Sequence, residues 1–280
     1  MRIAVTAALT DETITPIGLA QELEERGFHG LYVPEHTHIP VERATPFPYA
    51  DERGEVARWY GRLIDPFVAL SQAAAVTSRL HLGIGVLLLA QHDPIVVAKQ
   101  AASLDHVSGG RFTLGVGYGW NREEAADHGV EWSSRRELVL DRMRLMRALW
   151  ADEPTGYKGE FGSVSASFAH PKPVRGGAPR TMLGGAAGPK LFSHIVEYGD
   201  GWLPLNGSGL RETLPVLRTA WEDAGRDPAA LQVVPYAVTP TPERMDTFAE
   251  LGIEEVVMLM PAEEGDGMLR ALDGFARYLD

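Results

Sequence analysis

The chain has no cysteine, which removes disulfides, thiolate nucleophiles and cysteine-based zinc sites together and fits a reducing, cytoplasmic setting. Lysine is also scarce. Lys99, Lys158, Lys172 and Lys190 are the whole set, and none stands at a strand end, which excludes a Schiff-base aldolase. Positive charge as a whole is in deficit: lysine and arginine total 26 against 38 acids, a formal net charge of -12. A nucleic-acid surface needs a basic stripe, so no nucleic acid is expected as a partner, and an anionic ligand would have to be held locally. Long apolar runs are missing too. The longest, around Leu82 to Ala90, is far too short to span a bilayer, so no membrane partner is expected. The opening "MRIAVTAALTDET" lacks a small-residue cleavage pattern and reads as a first strand, not a signal peptide.

What is present is a regular alternation. A hydrophobic fraction of 45% is ample for a core, and strand-like apolar runs occur at residues 3–8, 28–34, 80–86, 112–117, 180–184, 200–204, 231–238 and 254–260. Helical patterns lie between them. "TPIGLAQELEERG" opens with Thr15-Pro16 and stops at Gly27, while the helices beginning at Asp65-Pro66 and Asp93-Pro94 start with an acid cap and a proline pre-set for the first turn. Further helices are predicted over residues 134–151, 189–199, 210–225, 242–251 and 266–279. Eight β-then-α units predict a (β/α)8 TIM barrel of the α/β class. With no repeat, low-complexity tail or Pro/Ser-rich linker, residues 1–280 read as one domain.

Two connections exceed plain turns. Residues 35–63 follow the second strand and therefore lie over the C-terminal mouth, where active sites of this fold sit; Phe47, Tyr49, Trp59 and Tyr60 suit a lid or substrate wall, or a surface excursion packed on the barrel. Residues 152–179 follow a helix, begin at the opposite rim ahead of the fifth strand, and suit a small structural hairpin.

The chemistry of a barrel projects from the C-terminal strand ends. After strand two stand Glu35, His36, Thr37 and His38, where a His-x-His pair is a metal-ligand spacing and an acid beside a histidine is a proton relay. The ends of strands five to eight offer glycine, alanine, asparagine, threonine and methionine, so the remaining ligands of a metal centre are missing and no metal is expected. That leaves chemistry carried by a cofactor. "GVGYGWN" has glycines at 115, 117 and 119 that leave room for a flat ring or a phosphate, or that relieve packing in a narrow barrel. Gly184, Gly185, Ala186, Ala187 and Gly188 form a small-residue loop directly before a helix, whose N-terminus presents free N–H groups to anions. Arg175, Arg180 and Lys190 stand near it in sequence and either add local positive charge or are simply solvated at the surface.

The ordered set "GLYVPEHTHIP", "LGIGVLLLAQHDPIVVAKQAASLDHVSGGRFTLGVGYGWNREE", "PKPVRGGAPRTMLGG" and "YGDGWLPL" covers nearly the whole chain and resembles the luciferase-like flavin and deazaflavin enzymes, particularly the actinobacterial coenzyme F420-dependent oxidoreductases. The resemblance implies a TIM barrel with insertions, a homodimer, and an isoalloxazine-type ring held across the mouth. It places Gly85 and Val86 at a bulge, often a non-proline cis peptide, under the ring. Gly117, Tyr118, Gly119 and Asn121 match the segment bordering the ring and its side chain, and Gly184 to Ala187 the loop that receives the phosphate. Glu35 and His36 match an acid–histidine pair beside the reactive ring edge, with His36 as proton donor or acceptor; His38 and His92 read as wall or surface residues. In sugar-phosphate dehydrogenases of the family a glutamate acts as acid where Tyr118 stands here, and a nearby tryptophan is replaced by Pro40. Both departures argue against sugar-phosphate oxidation, though a tyrosine could still donate a proton. The resulting expectation is F420-dependent hydride transfer to or from a small organic molecule. The alternatives are an FMN-dependent monooxygenase and a non-catalytic cofactor-binding subunit.

Overall fold

Each of the eight apolar runs contributes a strand to one parallel sheet. The computed structural model describes residues 1–46, 56–262 and 267–279, so Phe47 and Tyr49 of the aromatic excursion lie outside the described residues. Within them the order begins β1 (Arg2–Thr6), α1 (Pro16–Arg26), β2 (Gly30–Val33), α2 (Pro66–Val76), β3 (His81–Leu87), α3 (Pro94–Val107), β4 (Phe112–Val116), α4 (Arg122–Asp127) and α5 (Arg135–Trp150). It continues with β5 (Tyr157–Lys158), β6 (Ser163–Val164), β7 (Arg180–Gly184), α6 (Pro189–Tyr198), β8 (Gly201–Leu203), α7 (Leu210–Asp223), β9 (Gln232–Val233), α8 (Pro242–Glu250), β10 (Glu255–Leu259) and α9 (Gly267–Phe275). The eight-stranded sheet has the order β10-β1-β2-β3-β4-β7-β8-β9. It closes through the chain after β9, where Val238 N donates to Val257 O and Val257 N to Pro235 O, both at 2.9 Å. The architecture is the predicted (β/α)8 barrel.

The helix starts follow the chemistry read from the sequence. The Thr15 side chain accepts from Gly18 N, Asp65 from Val68 N, and Asp93 from Ile95 N and Val96 N, with proline at the first helical position each time. The segment ahead of β7 forms the antiparallel β5–β6 pair, tied to α5 by the Asp141 carboxylate, which accepts from Tyr157 OH at 2.8 Å and Glu160 N at 3.1 Å. The seventh run is shorter than predicted. Pro235 offers no N–H and Ala237 has φ 56, so regular pairing stops at Val233 and resumes only as single bridges at Tyr236 and Val238.

The core has two compartments. Between strands and helices lies a large aliphatic layer that includes Leu19, Leu31, Leu70, Leu82 and Ile84, while Ala4, Tyr32, Met182, Leu203, Val234, Tyr236 and Val257 fill the inside of the barrel. Glycines in β3 make room for the two interior tyrosines. A Cβ on Gly83 would stand 2.3 Å from Tyr32 Cδ1, and one on Gly85 would stand 2.4 Å from Tyr236 Cε2. At the N-terminal end of the strands, Arg180 pairs with the buried Glu255 at 3.0 Å and donates to Gln232 Oε1 at 2.6 Å. Arg180 opens β7 and the glycine loop follows its end, a separation of about 13 Å along the strand. Neither reading of Arg180 holds: it is an ion-paired residue at the opposite end of the barrel from that loop, neither beside the loop nor solvated at the surface. Arg175 pairs with Asp200 at 3.0 Å, and Lys190 with Glu137 at 2.7 Å.

Candidate active site

The C-terminal mouth is built around one side chain, Val86. The Gly85–Val86 peptide is cis, and the pairing of β3 with β4 shifts register between Ile84 and Leu87. The half-buried Val86 is flanked by two glycines that could not carry side chains beside it: a Cβ on Gly117 would lie 2.2 Å from Val86 Cγ2, and one on Gly184 would lie 2.7 Å from Cγ1. Beneath it, Tyr236 OH and Thr6 Oγ1 share a 2.6 Å hydrogen bond, so the platform rests on a satisfied polar pair.

Glu35 and His36, adjacent in sequence, turn to different partners. The buried Glu35 carboxylate accepts from Leu88 N at 2.6 Å and meets His92 Nε2 at 2.7 Å, tying the end of β2 to the loop after β3. Burial works to lower the His92 pKa, but the Glu35 carboxylate outweighs it and the net direction is up. His36 instead places Nδ1 2.8 Å from Glu124 Oε2, and Glu124 is fully buried. The Trp120 indole N–H donates to His36 Nε2 at 3.1 Å. An indole nitrogen only donates, so Nε2 accepts, and the neutral ring carries its proton on Nδ1, toward Glu124. Glu124 also accepts from Thr37 N at 3.2 Å, which fixes the backbone beside His36. Tyr60 closes the group, its ring centroid 5.4 Å from that of His36. His38 points elsewhere, with Nε2 2.9 Å from Asp127 Oδ2.

The segment after β4 divides its tasks. Asn121 is buried and caps α4, its side chain accepting from Glu123 N and Glu124 N; this cap orients the helix that carries Glu124. The Tyr118 hydroxyl is 2.7 Å from His194 Nδ1 of α6, so it is directed under that helix and not toward His36. Burial raises the Tyr118 pKa and lowers that of His194. Gly119 stands where a Cβ would meet nothing closer than Leu88 Cδ2 at 3.9 Å, leaving open space in front of it.

The loop from Gly184 to Gly188 leads into α6. No side chain caps this helix, as at α5 and α7 and unlike α1, α2, α3, α4 and α8, so its first N–H groups are unclaimed by a capping side chain. Gly185, Ala186 and Ala187 are exposed, and Gly185 has φ 147, a conformation that favours glycine. An apolar platform cleared by glycines, beside an uncapped helix start with small residues in front, fits a flat ring joined to a phosphate.

Sequence reading missed Glu124, Trp120 and His194. Glu124 sits in "NREEAAD", which resembles a solvated charge run; the available signal was Asn121 three residues ahead of it, the spacing of a helix cap.

Comparison with known proteins identifies the family and the fold. The luciferase-like monooxygenase family model matches residues 13–267, and the chain belongs to that family. An uncharacterized protein of Mycobacterium tuberculosis is 40% identical over 280 residues, covering 100% of this chain and 99% of its own length. The phthiodiolone/phenolphthiodiolone dimycocerosates ketoreductase of the same organism is 33% identical over 248 residues, 84% of this chain but 63% of the ketoreductase. Among solved structures, an F420-dependent secondary alcohol dehydrogenase in complex with an F420-acetone adduct aligns with TM-score 0.67 at 19% identity, covering 99% of this chain and 90% of that one. The oxygenating constituent of 3,6-diketocamphane monooxygenase from Pseudomonas putida, in complex with FMN, aligns with TM-score 0.66 at 17% identity, covering 84% and 66%. At these identities the two structures share the fold. Family members are oxidoreductases or monooxygenases, and an enzyme of that kind is the class to which this chain belongs. Among the described residues no helix is long and apolar enough to cross a membrane.

Proposed function

We propose that the protein is an F420-dependent oxidoreductase acting on a carbonyl or secondary-alcohol group of a small organic substrate. The observation that carries this reading is the mouth itself, where Gly117 and Gly184 keep Val86 presented as a platform and the uncapped start of α6 stands beside it. The ketoreductase relative and the fold shared with an F420-dependent alcohol dehydrogenase support it.

In this reading Val86, Gly117 and Gly119 hold the ring, and Gly184 to Ala187 with the first amides of α6 hold the phosphate. Tyr118 walls the site, its hydroxyl engaged by His194. F420, when bound, supplies or accepts a hydride at carbon without a need for oxygen. His36 handles the proton at Nε2. Its lone pair, now met by the Trp120 N–H, is the one a substrate hydroxyl would find on displacing the indole, and the Glu124 carboxylate would stabilise the imidazolium formed when that proton arrives. In the carbonyl-reducing direction the same nitrogen returns the proton. Glu35 and His92 brace the wall behind this group. The alternative reading, an FMN-dependent monooxygenase, is favoured by the fold shared with the diketocamphane enzyme. The test is to supply reduced F420 with a panel of ketones and follow reappearance of the oxidised chromophore. F420 oxidation that requires the ketone and proceeds without oxygen supports the proposal. Turnover only with reduced FMN and oxygen overturns it.

A further inference from the structure

The residues that follow His36 hold the same helix that carries its acid. Thr37 N donates to Glu124 Oε1 at 3.2 Å, and His38 Nε2 lies 2.9 Å from Asp127 Oδ2. The Thr37 hydroxyl makes two further contacts, with Oγ1 2.7 Å from His128 Nε2 and 2.9 Å from His38 Nδ1. Glu124, Asp127 and His128 are spaced i, i+3 and i+4, so they share one side of α4 and its C-terminal cap. The His38 and His128 rings stand 5.6 Å apart between centroids, bridged by that hydroxyl.

The proton positions in this outer group follow from what each atom can do. A carboxylate only accepts, so His38 Nε2 carries its proton toward Asp127, and in the neutral ring Nδ1 accepts from the Thr37 hydroxyl. The Thr37 oxygen then accepts from His128 Nε2–H. All the links are satisfied together, and the hydroxyl is held from two sides.

The consequence falls on Glu124. Its carboxylate is fully buried, and its rotation is set by His36 on Oε2 and, among the described residues, by Thr37 N alone on Oε1. Thr37 itself is exposed, and an exposed loop residue keeps its place only through the contacts it makes. Clasping its hydroxyl holds the amide that orients the carboxylate.

We infer that Thr37, clasped by His38 and His128, is a positioning residue for proton transfer: it sets the orientation of the Glu124 carboxylate and, through it, the ring of His36. The effect on turnover rests on the proposed role of His36 as proton carrier. The effect on the hydrogen bond between His36 and Glu124 does not, and is read without cofactor. His38 thereby has a role that is neither metal ligation nor contact with substrate.

The test has two arms. In the purified protein without cofactor, isotope-labelled histidine NMR follows exchange with water of the proton between His36 Nδ1 and Glu124, assigned by its loss in His36→Gln. Thr37→Val, similar in shape but without the hydroxyl, is expected to speed that exchange about tenfold, and the double variant His38→Ala/His128→Ala to do the same. Thr37→Ser, which keeps the hydroxyl, should restore most of the protection, and melting temperatures check that every variant is folded. Absence of a protected proton in wild type, or exchange unchanged by Thr37→Val or by the double variant, overturns the clasp. In the second arm, turnover of F420 with a ketone should fall about threefold to tenfold in Thr37→Val with KM within about twofold, the scale of one hydrogen bond. When Glu124 is already replaced by Gln, the same substitution should change turnover by less than about twofold. Turnover unchanged in Thr37→Val, or a loss undiminished in the Glu124→Gln background, overturns the positioning role. Wild type that shows the protected proton but no turnover with F420 overturns the cofactor reading, and the clasp is then decided by the first arm alone.

Discussion

Substituting Gly117 by alanine tests whether glycines hold the Val86 platform in place. The added Cβ would sit 2.2 Å from Val86 Cγ2 and 3.2 Å from Val86 Cβ, against an ordinary carbon–carbon contact of about 3.5 to 4.0 Å. Val86 is β-branched and stiff, and its other methyl already faces Gly184, where a Cβ would be 2.7 Å away. The strain is therefore expected to cost about 1 to 3 kcal/mol, the range for overpacked sites. Val86→Ala removes both methyls from a half-buried position and should cost about 1 kcal/mol or less on its own. If the clash is with those methyls, the double variant will be nearly as stable as Val86→Ala, a coupling of about 1 to 3 kcal/mol that matches the strain relieved. Urea denaturation reads this as recovery of the midpoint at constant slope, and thermal melting as a shift of about 2 °C per kcal/mol for a chain of this length. Strictly additive effects would refute the argument, as would a Gly117→Ala protein as stable as wild type. Gly184→Ala should behave in the same way, rescued by the same partner.

His29, stacked on His81 beneath the barrel at 4.3 Å between centroids, has its pKa lowered to about 4, chiefly by burial and against the pull of Glu255. The unfolded chain then binds the extra proton first, so stability present above about pH 6.5 is lost as pH falls toward about 4, by about 3 kcal/mol for this group; denaturation midpoints for wild type and His29→Gln across that window check it, and equal slopes would count against it. Glu124→Gln should leave cofactor affinity within about twofold but lower turnover by about tenfold or more and shift its pH profile, since the amide keeps the hydrogen bond to Nδ1 yet cannot stabilise an imidazolium; an unchanged profile would remove Glu124 from the proton path. His36→Ala should lower turnover by about 100-fold or more while preserving cofactor binding, and unchanged turnover would remove His36 as the proton carrier. Gly185→Asp places a carboxylate against the phosphate loop and should abolish cofactor binding with little change in melting temperature; retained affinity would move the phosphate elsewhere.

The barrel was legible because its signals are local. Proline and an acid or threonine cap mark the helix starts at Thr15, Asp65 and Asp93, and glycines and apolar runs mark the strands between them. Gly85, Val86 and the loop from Gly184 to Ala187 were also placed at the mouth from sequence, since the end of a strand is itself a local feature. Partners far apart in the chain were not legible. Glu124 reaches His36 across 88 residues, and His92 reaches Glu35 across 57. Adjacency therefore suggested a Glu35–His36 pair where the fold separates the two, and only three-dimensional packing assigns each histidine its acid. Arg180 makes the same point in reverse, being near the glycine loop in sequence and at the other end of the barrel in space.

The central claim, that the mouth holds a deazaflavin, is tested most directly by equilibrium titration of the purified protein with F420 and with FMN under identical conditions. The account predicts saturable F420 binding at least about tenfold tighter than FMN, a difference of about 1.4 kcal/mol or more, and its loss in Gly185→Asp. Tight FMN binding with no affinity for F420 would contradict it.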